Sequence, residues 1–297
     1  MKYKGYILLA ITIVIFSTLE VVTSTLKGII HPLQLTFVRF FIGGFTLLPF
    51  VIAKREKLDK KDWLFFLGLG LLNIFISMGA LQLSISLGKA STAAILISSN
   101  PIFVMLFSAV ILKEKATFDK IACIVLGMVG ISLIIYKGNT GGDTAVSLIL
   151  ALLASFTFGL YTVLGKLKSE GVSSISMISI SSILGSLFYI PVLLYYKLPL
   201  FYIPQTSILK VAYLGVFLSG IAYITYMEAL KLLSASKGSM VFFLKPVLAS
   251  TLAVIFLGES LSLKTAAGML LVLAGIFINF VRINTKTKNS AEASTNH

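Results

Sequence analysis

The stretch Ala235–Ser260, ASKGSMVFFLKPVLASTLAVIFLGES, decides the fold, because an earlier stretch lies on it without a gap. That stretch is Ala90–Lys115, ASTAAILISSNPIFVMLFSAVILKEK, about 145 residues upstream. The pairs Ala90/Ala235, Ser91/Ser236, Pro101/Pro246, Leu112/Leu257, Glu114/Glu259, Ala122/Ala267 and Gly130/Gly275 then match. With a slightly different offset, IGGFTLLPF at 42–50 falls on LGSLFYIPV at 184–192. The chain therefore reads as a tandem duplication.

Both stretches are apolar and long, and so is most of the chain. Hydrophobic residues make up 57% and charged residues 12% of the sequence, and the mean hydropathy is +1.00. A soluble domain is roughly half apolar and a quarter charged, so this composition indicates a membrane protein. A helix needs about 20 apolar residues to cross hydrocarbon. Runs of that kind recur near 5–26, 33–53, 63–86, 91–112, 118–136, 146–165, 173–195, 207–230, 236–257 and 261–282. The expected fold is an all-α integral membrane protein of ten transmembrane helices. Each copy of the duplication holds five spans, over 1–137 and 145–283. Five is odd, so the second copy enters the membrane from the opposite side, giving two inverted repeats. The tail at 284–297 is short and polar and reads as disordered. The first run holds Glu20, exceeds a signal peptide in length and lacks a small-residue cleavage site, so it is expected to stay as a span.

The formal charge of +14 invites a nucleic-acid reading, but the basic residues are spread between spans. With both ends inside, about seventeen basic residues fall on the cytoplasmic side and about six outside, the bias of the positive-inside rule. The expected location is the cytoplasmic (inner) membrane, multi-pass, with both termini cytoplasmic and no nucleic-acid partner. One cysteine gives no disulfide framework or cysteine-based metal cluster. Neither histidine has a plausible ligand set, so no metal and no cofactor are expected.

At this point the sequence resembles the EamA-type members of the drug/metabolite transporter superfamily. The resemblance is carried by Arg39-Phe40 in the second span, the ASTAAIL and ASKGSMV entries to the fourth and ninth spans, Pro101 and Pro246 within them, and the LKEK and LGES exits. It covers nearly the whole chain and implies a ten-helix bundle with an access path between its halves. It also implies small organic solutes as substrates, often exported metabolites or amino acids.

Pro101 and Pro246 fall near mid-bilayer. Each removes a backbone donor, and helix breaks at corresponding positions of two inverted halves point to a transporter's binding site; tolerated kinks that shape the bundle are the other reading. Their neighbours Asn100 and Lys245 occupy one repeat position. An ammonium at helix centre costs about 3 kcal/mol, so Lys245 needs a partner. By helical rise Glu20 and Arg39 lie at similar depth, about 10 Å below the outer surface, and are expected to form a structural ion pair. Glu228 is then the structural partner of Lys245 unless Lys245 anchors a substrate carboxylate or phosphate. A variant leaves Glu20 for the substrate's amine. Ser99, Asn100, Tyr161, Tyr223 and Tyr226 complete the candidate substrate-binding set with Lys245 and Glu20, on the alternative that they only pack the bundle. Small residues such as Gly127, Gly130, Gly268 and Gly275 are read as helix packing or a homodimer contact.

The leading expectation is a secondary transporter, not an enzyme, that moves a small polar metabolite by alternating access, more often outward. Its partners are the small-molecule substrate and membrane lipid. No Gly-Lys-Ser/Thr phosphate loop is present, so ATP coupling within the chain is not expected. The competing classes are an integral-membrane enzyme, which would need a surface cluster of His, Asp or Glu, and a sensor or scaffold without flux.

Overall fold

The computed structural model describes residues 2–115, 117–135, 143–169, 171–257 and a few residues between 263 and 274. Most of the expected tenth span and the whole tail lie outside the described residues, and the fold below concerns the remainder.

Among the described residues every regular element is a helix, and eight helical stretches are long and apolar enough to cross a membrane. They are Tyr3–Ser24, Pro32–Lys54, Lys60–Leu87, Thr92–Ile111, Ala145–Ser169, Ser174–Tyr195, Gln205–Leu232 and Ala235–Phe256. The expected fifth span is the helix Phe118–Ile135. A chain without helix breakers over 20 or more apolar residues has one way to satisfy its backbone in hydrocarbon, which is to hydrogen-bond within itself.

Several spans are composite, and their breaks recur at the repeat offset. The first consists of α1 (Lys2–Phe16) and α2 (Leu19–Ser24), the second of α3 (Pro32–Lys54). The third joins α4 (Lys60–Leu69) to α5 (Gly79–Leu87) through a π-helical segment, Gly70–Met78. About 145 residues later, a second π-helical segment, Leu214–Ile221, sits in the span built from α12 (Ile208–Tyr213) and α13 (Ala222–Leu232). The fourth span breaks at Ser98-Ser99 between α6 (Ala90–Ile97) and α7 (Asn100–Ile111). Its counterpart passes from α14 (Ala235–Ser239) through a 3₁₀ turn, Met240–Leu244, into α15 (Lys245–Leu257). Pro101 and Pro246 thus lie in the first turns of restarted helices, where a missing N–H leaves no internal bond unmade. The remaining elements are α8 (Phe118–Ile135), α9 (Ala145–Ser169), α10 (Ser174–Leu187) and α11 (Tyr189–Tyr195).

Glycines let backbones touch where the two copies meet. A Cβ on Gly70 would fall 2.5 Å from the Ser181 carbonyl oxygen and 2.8 Å from Gly185 N, and one on Gly185 would fall 2.6 Å from the Gly70 carbonyl oxygen. On the neighbouring contact a Cβ on Gly43 would fall 2.8 Å from the Gly215 carbonyl oxygen. Gly43 and Gly185 are related by the shorter repeat offset, and Gly70 and Gly215 by the longer. The contact therefore occurs twice, with the roles of the copies exchanged. Gly127 belongs to a smaller contact, where a Cβ would meet Phe243 at 2.7 Å.

Helix ends are closed by side chains, several from the other copy. His31 Nδ1 accepts from Leu33 N at the start of α3, which ends at Arg55 in the left-handed region, φ 49°. Asp59 and Asp62 form a reciprocal cap on α4. Glu56 accepts from Ser173 N and Oγ and from Ser176 Oγ at the start of α10. Glu114 accepts from Ala235 N and Ser236 N and Oγ at the start of α14. Asp143 does the same for α6, through Lys89 N at 2.8 Å and Thr92 Oγ1 at 2.8 Å. Burial raises the pKa of the Glu56 and Glu114 carboxyls, but the hydrogen bonds and nearby lysines outweigh it and hold both below their ordinary range.

Candidate functional site

Two buried charges meet in the interior. Lys245 opens α15 immediately after the 3₁₀ turn, and Glu20 lies in α2 just beyond the Ser17-Thr18 break. The helix α2 packs on both α6 and α15, and Lys245 Nζ lies 2.5 Å from Glu20 Oε1. The two side chains are 3% and 1% exposed, so water screens the pair little and their attraction is strong. Glu20 Oε2 has no hydrogen-bond partner among the described residues.

This pair replaces both sequence-based pairings. Glu20 was expected to hold Arg39, with Glu228 the alternative partner of Lys245 should it not anchor a substrate anion, but Glu228 bonds Lys231 one turn further along its own helix, 3.0 Å away and partly exposed. The depth argument assumed unbroken α-helices at 1.5 Å per residue. The five-residue 3₁₀ turn rises about 2.0 Å per residue, which carries Lys245 away from the Glu228 end and toward Glu20. Lateral packing of α2 against α15 then brings the two together, and helical rise alone contains no information about lateral neighbours.

Arg39 is left without the partner assigned to it. Its side chain is fully buried in the middle of α3, and none of Nε, Nη1 or Nη2 makes a hydrogen bond among the described residues. The guanidinium carbon stands 4.6 Å from the centroid of the Phe40 ring. Tyr223, Tyr189 and Glu20 are the ionisable groups within electrostatic range of it.

The candidate tyrosines fall in one aromatic cluster. Tyr223 meets Phe16 edge-on at 5.2 Å and Phe40 at 5.7 Å, and Tyr161 lies 6.1 Å from Tyr223. Tyr226 packs against Phe242 at 5.2 Å, and its hydroxyl makes no well-formed hydrogen bond among the described residues. Ser99 and Asn100 sit at the α6–α7 break. Ser99 Oγ lies 2.9 Å from Ser155 Oγ, and Asn100 Nδ2 donates to Ile97 O at 2.9 Å while Oδ1 has no partner. The cluster supplies apolar walls with a few polar groups, the usual make-up of a small-molecule site.

Sequence reasoning missed Asn73, Thr23, Ser219 and Tyr189. Asn73 is fully buried in the first π-helical segment, its amide near the Tyr223 hydroxyl but without a well-formed hydrogen bond; Thr23 Oγ1 and Ser219 Oγ make none among the described residues. A lone amide in GLLNIFISMG was the available signal, since intramembrane polar groups are costly without a role or a partner. Tyr189 donates to Ile74 O at 2.9 Å and Phe75 O at 3.0 Å, carbonyls of the π-helical segment that nothing in the sequence marks. Toward the His31 end, Thr23, Lys27, Gly28, Gln82 and Ser86 line a cavity of about 30 Å³, one helical turn beyond Glu20. No group of three or more His, Cys, Asp or Glu residues among the described residues is placed to hold a metal.

The described residues thus form a bundle of membrane-length apolar helices with a buried ion pair, Glu20–Lys245, in its interior. The chain belongs to the EamA-like transporter family, whose model matches residues 3–136 and 145–281. A protein of Clostridium kluyveri described as an "uncharacterized transporter" is 33% identical over 289 residues, covering 93% of each chain. One from Archaeoglobus fulgidus with the same description is 26% identical over 284 residues, covering 93% of this chain and 98% of its own. The "uncharacterized transporter YvbV" of Bacillus subtilis is 25% identical over 296 residues, covering 99% and 95%. A solved crystal structure with 19% identity covers 94% of this chain and 96% of its own at a TM-score of 0.77, a likeness of fold.

Proposed function

We propose that this membrane transporter is a secondary carrier that moves a small polar metabolite, an amino acid or a similar zwitterion or anion, across the cytoplasmic membrane by alternating access, with net export. In this reading the chain forms ten spans as two inverted five-helix repeats, with both termini cytoplasmic. The supporting observation is the Glu20–Lys245 pair. It joins the first copy to the second, is buried, and lies where the helices of both copies are interrupted. Charged groups at such interruptions, near the interface of two related halves, are what a carrier needs to hold a solute while either side opens. The backbone breaks that recur at the repeat offset, and the glycine contacts that occur twice, support the inverted arrangement. Substrate binding is assigned to Glu20, Lys245, Ser99, Asn100, Tyr161, Tyr223 and Tyr226. The basic bias of the loops supports cytoplasmic termini.

The test is counterflow in proteoliposomes containing the purified full chain, with radiolabelled amino acids, organic acids and organic cations as probes. Saturable uptake of at least one amino acid or organic acid is expected, reduced at least about tenfold in a Glu20→Gln/Lys245→Gln double variant. Saturable uptake of cations alone overturns the substrate class. A folded protein with no flux of any probe overturns the carrier reading.

A further inference from the structure

Arg39 is an unusual residue to find where it is. A guanidinium carries five N–H donors and no acceptor, and burying one without partners costs several kcal/mol. Here all three nitrogens are enclosed and none makes a hydrogen bond among the described residues; the Phe40 face is the near contact. Glu20, a carboxylate whose charge acts on it, already holds Lys245. Exchanging partners does not help, because Glu20 supplies one negative charge to two cations whichever it takes. The trio of Glu20, Arg39 and Lys245 keeps a surplus of one positive charge in the interior of the bundle. Unmatched polar atoms of complementary kinds lie in the same interior: Glu20 Oε2 accepts only, and the Asn73 amide offers both a donor and an acceptor.

We propose that Arg39 receives the carboxylate of the transported solute, and that Glu20 Oε2 receives its ammonium where the solute has one. The substrate class is then amino acids and other small carboxylates. This rests on the carrier reading and moves the anionic anchor from Lys245 to Arg39. The guanidinium fork matches the two oxygens of a carboxylate in plane; a monocarboxylate brings the single charge that the trio lacks, whereas an amino acid, with no net charge, is held by pairing its carboxylate with Arg39 and its ammonium with Glu20 Oε2. A phosphate monoester brings about 1.5 to 2 charges near neutral pH, more than the one guanidinium can neutralise. Lys245 keeps Glu20 neutralised while the site is empty.

The experiment is thermal stability and binding of the full chain in detergent. The probes are proteinogenic L-amino acids, their carboxamides, short monocarboxylates, inorganic phosphate and sugar phosphates, on the parent, Arg39→Gln and Arg39→Lys. At least one carboxylate is expected to raise the melting temperature of the parent while its carboxamide does not. Arg39→Gln should weaken that binding about ten- to hundredfold, with part regained in Arg39→Lys. Without ligand, Arg39→Gln should melt at or above the parent, because it removes an unsatisfied charge; an arginine with a structural role would melt lower. The inference is overturned if the carboxamide binds as tightly as the acid, if Arg39→Gln binds like the parent, if phosphates alone act, or if no carboxylate stabilises the parent. Carboxylate flux that is undiminished in Arg39→Gln liposomes leaves the carrier reading standing and removes this one. Absence of flux for every probe removes the carrier reading itself.

Discussion

Glu20 and Lys245, 225 residues apart in the chain, meet at 2.5 Å in the interior of the bundle. A pair this deep contributes little net stability against a well-packed apolar pair, yet removing one member leaves the other charge buried alone. Glu20→Gln and Lys245→Met should each destabilise by about 3–5 kcal/mol, and the double variant by much less than the sum. A double-mutant cycle on unfolding in detergent measures this. Additive losses would show that the two do not interact.

The glycine contacts predict a sharp positional contrast. Gly70→Leu and Gly185→Leu must push backbones apart, since even a Cβ would come within 2.6 Å of a carbonyl oxygen, and should abolish recovery of folded protein. Gly68 lies two residues away in an exposed part of α4 with nothing within 4 Å of its Cβ position. Gly68→Ala should be neutral or stabilise by up to about 1 kcal/mol. Size-exclusion profiles of the three variants decide it.

Two buried tyrosines should respond unequally when the hydroxyl is removed. Tyr189→Phe strands the Ile74 and Phe75 carbonyls in the first π-helical segment and should cost about 1–3 kcal/mol. Tyr226→Phe removes a hydroxyl that lies near Thr162 without a well-formed hydrogen bond and should change stability by less than about 1 kcal/mol. If the Tyr226 hydroxyl touches the solute, the same variant loses affinity, so thermal stability and counterflow on both variants separate packing from binding.

Acid should loosen the helix caps. The folded pKa values of Glu56 and Glu114 lie below their ordinary value of 4.5. Their contribution is therefore complete above that value and is lost as pH falls through the depressed folded values. Melting curves from pH 7 to pH 3 should show an acid limb that flattens in Glu56→Gln and Glu114→Gln. At neutral pH each variant should melt lower than the parent. Identical acid limbs in parent and variants would refute the assignment.

Much of this architecture was legible in the sequence, because span length and apolar content follow from the thickness of hydrocarbon. The register of Ala90–Lys115 on Ala235–Ser260 also located both helix interruptions, since proline marks them. The ion pairs were not legible. Depth by helical rise placed Glu20 beside Arg39, but the turn at Ser17-Thr18 and the 3₁₀ turn at Met240–Leu244 change both rise and facing. The choice of lateral neighbour for α2 depends on the packing of the whole bundle. Tyr161, Tyr223 and Tyr226, singled out in the sequence, do fall in one aromatic cluster, but Tyr189, in the same kind of apolar run, was passed over. Asn73 was overlooked because a single amide does not interrupt hydropathy.

The caps have a consequence for how the molecule is made. Helix starts at α10 and α14 in the second copy are closed by Glu56 and Glu114 of the first, and α6 of the first is closed by Asp143, which is synthesised some fifty residues after it. The second copy alone lacks the carboxylates that close the starts of α10 and α14, and the first copy alone lacks Asp143. Although duplication wrote the chain as two units, the second closes the starts of its α10 and α14 only against the first.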